Sequence, residues 1–497
     1  MVNGEIRLGI SGLIMFSSRL LSIGTGLAFT LMITRSITAE AFGVYGNVSD
    51  ILSYFILASG IFPFWATRFI ARNHAGSSVT VVFSNLLVAV PFTVIYILLL
   101  PVVMSLFHVT SEFTFVYAII SVQILEIYLQ SGLEATLYAK KPQSIGIGII
   151  IFEVSKVCLG YALIFLLNMG LAGAVLSVII ALSFQIFYYL KLTAPIFSEK
   201  INFKYVKEWA KASPFNLFGT VGQKLADLVL FFLFLYGGKI ARGYYGAALT
   251  IASVVGYSSS IGYALYPRLL SKSKPEDVIF SIKLVSMFAI PMAFGAVVMG
   301  DSFLVILGSE YAIAKPVLTL LSLDLLLLCF SSIFETVITG AEKLDAEAAI
   351  SWKKLAKSNL FISLALPYIK ALFILPTIYY ILNFLVVDAL DAALYVGLTT
   401  LIIDFALVSI RYFIANRSFQ FKMPIKHIAK YVFASIAMAS LLYIIPHPTR
   451  LSLTAALTLL GACVYFIILL VVDNESRTIL KKVTNELQRI FEIQGSA

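Results

Sequence analysis

The sequence predicts an all-α polytopic membrane protein with about 14 transmembrane helices, built as two six-helix lobes plus two extra C-terminal helices. Hydrophobic residues make up 60% of the 497-residue chain and charged residues 12%, whereas soluble globular chains are about a quarter charged. Apolar runs of about 20 residues alternate with short charged loops, as in proteins whose helices cross a bilayer. In addition, a stretch of the first half of the chain recurs 200 residues later.

Fourteen apolar runs are long enough to span a membrane. They lie at about 9–33, 43–67, 79–107, 113–136, 143–167, 170–190, 214–236, 243–267, 277–300, 315–338, 358–382, 392–414, 427–446 and 451–472. Lys and Arg collect in the cytoplasmic loops of membrane proteins. If the N-terminus is cytoplasmic, 26 of the 36 Lys and Arg residues fall in cytoplasmic segments, five in external segments (Lys239 and Arg242 among them) and five within spans. We therefore expect a multi-pass protein of the cell (plasma) membrane with both termini in the cytoplasm.

The repeated stretch covers the second and eighth spans. Eight of the 26 positions from 43 to 68 are identical 200 residues later: Gly43/Gly243, Tyr45/Tyr245, Gly46/Gly246, Ile51/Ile251, Ser53/Ser253, Ser59/Ser259, Ile61/Ile261 and Arg68/Arg268. Two unrelated apolar helices of this composition would share roughly two or three, so the match indicates an internal duplication. The two copies are six spans apart in the chain. Because six is even, the lobes should have the same orientation and be related by a pseudo-two-fold axis along the membrane normal.

The duplication predicts the domain organisation. The parts are an N-terminal six-helix lobe (1–190), a cytoplasmic interfacial linker (191–213), a C-terminal six-helix lobe (214–414), two appended transmembrane helices (427–472) and a cytoplasmic amphipathic tail (473–497). In the linker, Lys204, Lys207 and Lys211 fall on one helical face, which favours a helix lying on anionic headgroups. A plain solvated linker is the alternative.

Charged residues inside the spans are the strongest functional signal from composition alone. They are Arg19, Asp50, Glu126, Glu134, Glu153, Lys156, Lys224, Asp227, Lys283, Asp324, Glu335, Lys370 and Asp404. Each would cost about 2.5–3.5 kcal/mol at the bilayer centre on insertion scales, so the set predicts a polar interior between helices. The alternative for any one pair is structural. Glu153 with Lys156, and Lys224 with Asp227, are three residues apart on a helix and could neutralise each other while fixing its packing.

The substrate-binding candidates follow from the repeat. In a two-lobed transporter the site lies between the repeats, which favours charges in the first two spans of each lobe. These charges are Arg19, Asp50, Lys224 and Asp227. Arg68 and Arg268 lie at equivalent cytoplasmic helix ends. They would form either a basic rim that binds phosphate or ordinary anchors of the positive-inside kind.

The same set supplies ion-binding candidates. Asp227, Glu153 and Asp50 are the candidates for a coupling ion, Na⁺ or H⁺, because burial can bring a carboxyl group into a useful titration range. Secondary candidates for lining the cavity are Glu126, Lys156, Lys283, Asp324, Glu335, Lys370 and Asp404.

Several other classes of site and partner are disfavoured. The four histidines are scattered without metal-ligand spacing, and the three cysteines lie within spans, so we expect no metal site and no cofactor besides a coupling ion. The net charge of +10 is sorted to one side of the membrane, which argues against a nucleic-acid partner. A membrane glycosyltransferase or ligase would need acidic metal-binding residues in large outer loops, and the first outer loop offers only Glu40. We expect a monomeric protein that is not an enzyme.

Several short motifs resemble one family. The segment TAEAFGVY at 38–45 is similar to the "FGxY" segment between the first two helices of Wzx-like polysaccharide flippases. These belong to the multidrug/oligosaccharidyl-lipid/polysaccharide exporter superfamily. Further similarity lies in Gly60 to Arg68, Ser213–Pro214 leading to Asp227, Gly243–Tyr244–Tyr245 through Pro267–Arg268, Gly308–Ser309–Glu310–Tyr311, and Gly340–Ala341–Glu342–Lys343.

The resemblance implies a function. It implies two six-helix lobes around a central cavity with alternating access, in which a polyprenyl-diphosphate-linked oligosaccharide moves from the cytoplasmic to the outer leaflet. Arg19 and Lys224 match the family's tendency towards a cationic lumen. Fourteen spans fit this branch and the lipid II flippases better than the usual twelve of multidrug exporters. A lipid II-type flippase and an ion-coupled multidrug exporter of the same superfamily are the alternatives.

Overall fold

The computed structural model describes residues 8–259, 275–341 and 358–477, and the regular structure of these residues is helical throughout. The all-α prediction is confirmed. Up to Gly243 the described residues pack as one compact unit, and from Tyr244 onward they pack as a second. This boundary lies within a helix, about thirty residues after the predicted start of the second lobe at 214.

Seventeen α-helices organise the described ranges. The first ten are α1 Leu8–Ser36, α2 Ala39–Phe55, α3 Ile61–Ala71, α4 Ser77–Leu106, α5 Thr114–Lys140, α6 Gln143–Gly160, α7 Gly170–Thr193, α8 Phe203–Asp227, α9 Val229–Gly237 and α10 Lys239–Gly256. The remaining seven are α11 Pro275–Val298, α12 Gly300–Leu307, α13 Lys315–Ala341, α14 Asn359–Phe384, α15 Ala389–Phe419, α16 Ile425–Ile444 and α17 Leu451–Val472.

Among the described residues, 11 helices are long and apolar enough to cross a membrane, and a twelfth span is formed if α2 and α3 count together. A multi-pass protein is therefore confirmed. Each of these 12 corresponds to one of the 14 predicted spans. The other two predicted spans are 9–33, which falls on α1, and 243–267, whose first half falls on α10 and whose last residues lie outside the described ranges.

The second span is broken, which its apolar run does not reveal. Helix α2 ends at Phe55, a 3₁₀ turn covers Leu57–Gly60, and α3 starts at Ile61 with its axis bent by 46°. Pro63 occupies the first turn of α3, where its missing N–H removes no hydrogen bond. The helix can therefore restart directly after the bend.

The carbonyl groups near this break are satisfied by neighbouring side chains. Tyr128 donates its hydroxyl to the carbonyl oxygen of Phe55 at 3.0 Å. The amide of Asn85 donates to the carbonyl of Ser59 at 2.9 Å and to that of Tyr128 at 3.0 Å. An interrupted helix is tolerated at membrane depth only when such partners replace the lost backbone bonds. Asn85 and Tyr128 therefore stabilise the bend.

The repeated glycines Gly43 and Gly243 mark a close crossing of α2 and α10. A Cβ placed on Gly43 would lie 1.9 Å from the carbonyl oxygen of Lys239, and one placed on Gly243 would lie 2.2 Å from that of Ala39. Since 239 and 243 are the repeat equivalents of 39 and 43, the two contacts are reciprocal. Reciprocal contact between equivalent positions is the signature of a local two-fold axis. The repeated motif thus has a packing role, because only glycine lets the two backbones approach this closely.

The segment predicted as an interfacial linker does not form a separate helix in the structure. A 3₁₀ turn at Ala194–Ser198 leads into α8, which continues through Pro214 into the membrane span as one helix. Trp209 on α8 is buried and packs against Phe69, with ring centroids 5.7 Å apart. Lys204, Lys207 and Lys211 are exposed, as the basic face requires. The start of α8 is therefore anchored to the first unit by its aromatic side and leaves its lysines free of the core.

The two appended helices form part of the core of the second unit. Helix α16 packs against α11 and α17, and Tyr431, Met438 and Tyr465 lie in one buried cluster with Met287. The hydroxyl of Tyr465 donates to the carbonyl oxygen of Met287 at 2.8 Å. A buried tyrosine needs such a partner, because an unsatisfied hydroxyl in an apolar environment is costly.

Asp473 joins the ends of the appended helices. It follows the last residue of α17 and accepts hydrogen bonds from Lys430 at 2.9 Å and from the Ser476 hydroxyl at 2.6 Å, while a ring nitrogen of His427 lies 3.3 Å away. Burial alone would raise the pKa of Asp473, but the bonds from Ser476, Lys430 and His427 outweigh it and lower the pKa to about 2. The ionised carboxylate therefore holds α16 to the end of α17.

This carboxylate makes stability depend on pH in a predictable direction. Because the pKa of Asp473 is lower in the folded than in the unfolded state, its contribution to stability is complete above the ordinary pKa of 3.8 and is lost as the pH falls towards about 2. We expect Asp473→Asn to lower the free energy of unfolding at pH 7 by about 1.5–3 kcal/mol, the usual worth of hydrogen bonds to a charged group. Thermal unfolding of the detergent-purified protein between pH 7 and pH 2 measures this. The difference in stability between wild type and variant should disappear below about pH 4. A difference that stays constant over this range would contradict the role given to the Asp473 carboxylate.

Candidate functional site

Three of the six substrate-binding candidates, Asp50, Lys224 and Asp227, lie in one group within the first unit. Asp50 on α2 forms a bidentate ion pair with Arg242 on α10. Its Oδ2 is 2.9 Å from Arg242 Nε, and its Oδ1 is 3.0 Å from Arg242 Nη2. The side chains are 14% and 7% exposed. Two parallel bonds to a guanidinium fork are the strongest ion-pair geometry in proteins, so this pair fixes α2 against α10.

A second glycine of α2, Gly46, allows the Arg242 side chain to lie close to this helix. A Cβ on Gly46, one turn before Asp50, would lie 2.7 Å from Cζ of Arg242. The guanidinium therefore lies across the bare backbone of α2, at the place that a side chain would otherwise occupy. Arg242, which the sequence places in an external segment, belongs to α10, because this helix begins at Lys239, four residues before the apolar run.

Lys224 and Asp227 lie at the end of α8, next to the same part of α2. Lys224 Nζ is 3.0 Å from Asp227 Oδ2 and 3.1 Å from the hydroxyl of Ser53. The Tyr54 hydroxyl donates to the carbonyl oxygen of Lys224 at 2.8 Å, and the Lys224 ammonium is 5.8 Å from the Tyr54 ring centroid. Gln223 donates to the other carboxylate oxygen of Asp227 at 3.0 Å. The predicted neutralising pair is thus present.

These two residues are the accessible part of the group. The side chain of Lys224 is 25% exposed and that of Asp227 32%, about twice or more the exposure of Asp50 or Arg242. We name Asp50, Arg242, Ser53, Lys224 and Asp227 together the Asp50 site. It contains a buried ion pair that holds the helices and a lysine that is more accessible.

The other predicted charges of the first unit have structural partners. Lys156 Nζ is 2.6 Å from Glu153 Oε2, and the two oxygens of Glu153 accept from Ser22 at 2.6 Å and Thr25 at 2.5 Å. A carboxylate with this many donors is fully satisfied. The structural interpretation therefore suits Glu153 and Lys156 better than ion binding does.

Glu126 and Glu134 are buried or half-buried on α5. Glu126 accepts from the hydroxyl of Ser183 on α7 at 2.5 Å, while its Oε2 has no hydrogen-bond partner among the described residues. Glu134 accepts from Gln130 at 3.0 Å and from Tyr189 at 3.3 Å. Neither is part of the Asp50 site.

In the second unit the predicted charges also pair. Lys283 Nζ is 2.6 Å from Glu475, and Glu335 is 3.6 Å from Arg411. Lys370 and Asp404 form a buried pair at 2.6 Å. Asp324 lies beside this pair, at hydrogen-bond distance from Asp404. Most intramembrane charges that predicted a polar interior therefore serve as bridges between helices.

The predicted basic rim of Arg68 and Arg268 is only partly described. The Arg68 guanidinium lies 4.7 Å from the ring centroid of Phe64 and 5.1 Å from that of Trp65. A cation held over aromatic faces keeps a favourable orientation while its head stays near water. Arg268 and the side chain of Arg19 lie outside the described part of the chain, so the rim and the Arg19 contribution stay predictions.

Sequence reasoning missed Arg242 and Tyr54. The signal for Arg242 is present, since it immediately precedes the repeated Gly243, and Asp50 lies four residues after Gly46 on the matching helix. Tyr54 carries no such signal, because an aromatic residue on an apolar helix is ordinary. Within the described residues, no three His, Cys, Asp or Glu side chains are grouped as metal ligands.

No protein-family profile and no curated protein matches this sequence. Solved structures do match. An inward-facing multidrug resistance MATE family transporter of the MOP superfamily has a TM-score of 0.60 at 13% identity, covering 80% of this chain and 95% of that one. The lipid II flippase MurJ, in an inward closed conformation, has a TM-score of 0.60 at 16% identity, covering 92% of this chain and 97% of that one.

An outward-facing MATE family transporter of the MOP superfamily is also similar, with a TM-score of 0.56 at 15% identity over 82% of this chain and 94% of that one. Identities this low show likeness of fold and nothing finer. The chain therefore has the multi-span, all-α fold that is found in the MATE and MurJ transporters.

Proposed function

We propose that the protein is a flippase that moves a polyprenyl-diphosphate-linked oligosaccharide from the cytoplasmic to the outer leaflet by ion-coupled alternating access. The observation that carries this proposal is Lys224, a partly exposed ammonium at membrane depth that is fixed by Asp227 and Ser53. A cation that is pre-positioned in a low-dielectric surrounding suits an anionic headgroup. The likeness of fold to a lipid II flippase over 92% of this chain supports a lipid-linked cargo.

The contacts of Lys224 suggest how a diphosphate is bound. A phosphate oxygen would compete with Asp227 for the ammonium, because both are anions. Asp227 would keep its bond from Gln223, and Lys224 would keep its bond to Ser53. Asp50 is neutralised by Arg242 and so does not repel the substrate. The substrate would be released when Asp227 forms its ion pair with Lys224 again.

A multidrug exporter is the second candidate, because a multidrug resistance MATE transporter matches the fold with the same TM-score as MurJ. The charges at the Asp50 site disfavour it. Asp50 with Arg242, and Asp227 with Lys224, leave no net negative charge for a cationic drug. The MATE match also covers 80% of this chain, less than the 92% covered by the flippase.

The test uses purified protein in liposomes that carry a fluorescent lipid-linked oligosaccharide. We expect Lys224→Ala to lower the translocation rate at least about tenfold, the effect of losing about 1.4 kcal/mol of binding. Lys224→Arg should retain part of the activity, because the positive charge is kept. The unfolding temperature should change little, since a pair exposed to this degree contributes only about 0–1 kcal/mol.

Lys239→Ala is the matched control. It also removes a lysine that is ion-paired in the first unit, with Glu40 at 3.0 Å, but it lies outside the Asp50 site. Translocation should be unaffected by this change. Unchanged transport in an Arg19→Ala, Lys224→Ala double variant would contradict the cationic-site proposal. Resistance to cationic dyes in an expressing strain, without glycan translocation, would favour the exporter instead.

A further inference from the structure

Three charged residues of the second unit converge at mid-helix on three different helices. Asp324 is near the middle of the span Ser309–Thr339, which includes most of α13. Lys370 lies near the centre of α14, and Asp404 near the centre of α15. Central positions of helices this long correspond to the bilayer interior, where ionisable residues mark functional sites more often than elsewhere.

Asp404 contacts both of the other side chains. Lys370 Nζ is 2.6 Å from Asp404 Oδ2, and the carboxyl groups of Asp404 and Asp324 are at hydrogen-bond distance. Asp324 is 5% exposed and Asp404 3%. The Oδ1 atom of Asp324 accepts no hydrogen bond from any described residue. We name Asp324, Lys370 and Asp404 the dicarboxylate cluster.

The charges of this cluster do not balance unless a proton is present. Two ionised aspartates and one lysine leave a net charge of −1 in the membrane interior, and two carboxylates in contact repel each other. One proton shared by the carboxyl groups makes the cluster neutral and supplies the donor that their contact requires, as in other carboxyl pairs at this distance. The geometry therefore fits a cluster in which the two aspartates share one proton and the lysine is protonated.

Among the described residues, no cation other than Lys370 forms an ion pair with this cluster. The next charged pair on the same two helices, Glu335 with Arg411, lies eleven and seven residues further along, roughly 16 Å and 10 Å at 1.5 Å per residue. On α11, which packs against α13, Lys283 is paired with Glu475.

We propose that Asp324 and Asp404 form a proton-binding site of the second unit, in which one proton is shared between the two carboxyl groups and Lys370 neutralises the remaining charge. A proton fits better than a sodium ion. Sodium needs several oxygen ligands, and the ammonium of Lys370 already occupies the cation position next to Asp404. Uptake adds the proton to the carboxylate pair, and release leaves both aspartates ionised beside Lys370, with no other bond made or broken.

Proton release would change how the helices attract each other. With the proton bound, α13 and α15 are joined by a hydrogen bond between acids. Without it, the two carboxylates repel across the same contact. Helix α14 contains Pro367, one turn before Lys370, and Pro376, so it lacks two backbone bonds and bends more easily than an unbroken helix. If the proposed flippase function holds, this site is where the second unit would take up the coupling proton.

Infrared difference spectroscopy of the purified protein in lipid tests the site itself, without any substrate. The carbonyl stretch of a protonated carboxylic acid is separate from that of a carboxylate. We expect wild type at pH 7 to show a band of this kind from the dicarboxylate cluster. This band should disappear in Asp324→Asn and equally in Asp404→Asn, because either change leaves one aspartate paired with Lys370. Lys370→Gln should roughly double the band, since two protons are then needed for neutrality.

Glu335→Gln is the matched control, because it removes a half-exposed carboxylate from the same helix and should leave the band unchanged. A band that persists in both aspartate variants would overturn the proposal. So would its loss when sodium is added to wild type, or a weaker band in Lys370→Gln. Transport under a pH gradient is measured on the same samples. If the band behaves as expected but no glycan moves, the proposed function fails while the proton site stands.

Discussion

Asp50→Ala is expected to lower the free energy of unfolding by about 3–5 kcal/mol and to reduce the yield of folded protein sharply. The reason is that Arg242 would remain buried at 7% exposure without its carboxylate. An uncompensated buried charge costs more than the pair itself contributes. Chemical or thermal unfolding of the detergent-purified variants measures the change.

The chain offers a control for this prediction. Glu40 and Lys239 connect the same two helices, α2 and α10, at 3.0 Å, but Glu40 is 49% exposed. Glu40→Ala should therefore change the free energy of unfolding by less than about 1 kcal/mol. The double variant Asp50→Asn, Arg242→Gln should be less destabilised than the sum of its single variants, since it leaves no isolated charge. Equal effects of Asp50→Ala and Glu40→Ala would contradict the buried pair.

Gly43→Ala and Gly243→Ala are expected to be strongly disruptive, although each adds a single methyl group. Their Cβ atoms would lie 1.9 Å and 2.2 Å from backbone oxygens of the facing helix. Backbone atoms cannot rotate away as a side chain can, so α2 and α10 must separate. Overpacking of this kind typically costs about 1–3 kcal/mol, and the upper end or more is expected here.

The matched control is Gly26→Ala on α1, where a Cβ has no heavy atom within 4 Å. Alanine stabilises a helix by about 1 kcal/mol relative to glycine, so this change should be neutral or slightly stabilising. Unfolding temperatures of the three alanine variants give the comparison. If Gly43→Ala is as stable as Gly26→Ala, the close crossing of the repeated motifs is not present.

Much of this architecture could be predicted because a helix that crosses a membrane requires a long apolar run, which is visible in the sequence. Span positions follow from apolar runs, and the 200-residue repeat identified the two helices that cross at Gly43 and Gly243. The same reasoning selected Asp50, Lys224 and Asp227, which the structure brings together. These predictions share a cause, since each depends on periodicity or equivalence along the chain.

The rest depends on contacts between residues that are distant in the sequence. The sequence does not predict that Arg242 lies on a helix, because hydropathy locates the apolar run but not the polar ends of its helix. The sequence distances of 46 and 34 residues between Asp324, Lys370 and Asp404 carry no sign that they meet. The bend after Phe55 had a local signal in Gly60 and Pro63, but a continuous apolar run masked it. Pairing also explains most intramembrane charges that first suggested an open polar interior.

Direct observation of lipid translocation tests the central claim. Liposomes with wild-type protein receive a fluorescent polyprenyl-diphosphate oligosaccharide in one leaflet, and a membrane-impermeant quencher reports its arrival in the other. The account predicts movement that requires the protein, depends on Lys224 and is absent for a cationic dye under the same conditions. Translocation of the dye but not of the lipid-linked glycan, or glycan movement that Lys224→Ala leaves unchanged, would contradict it.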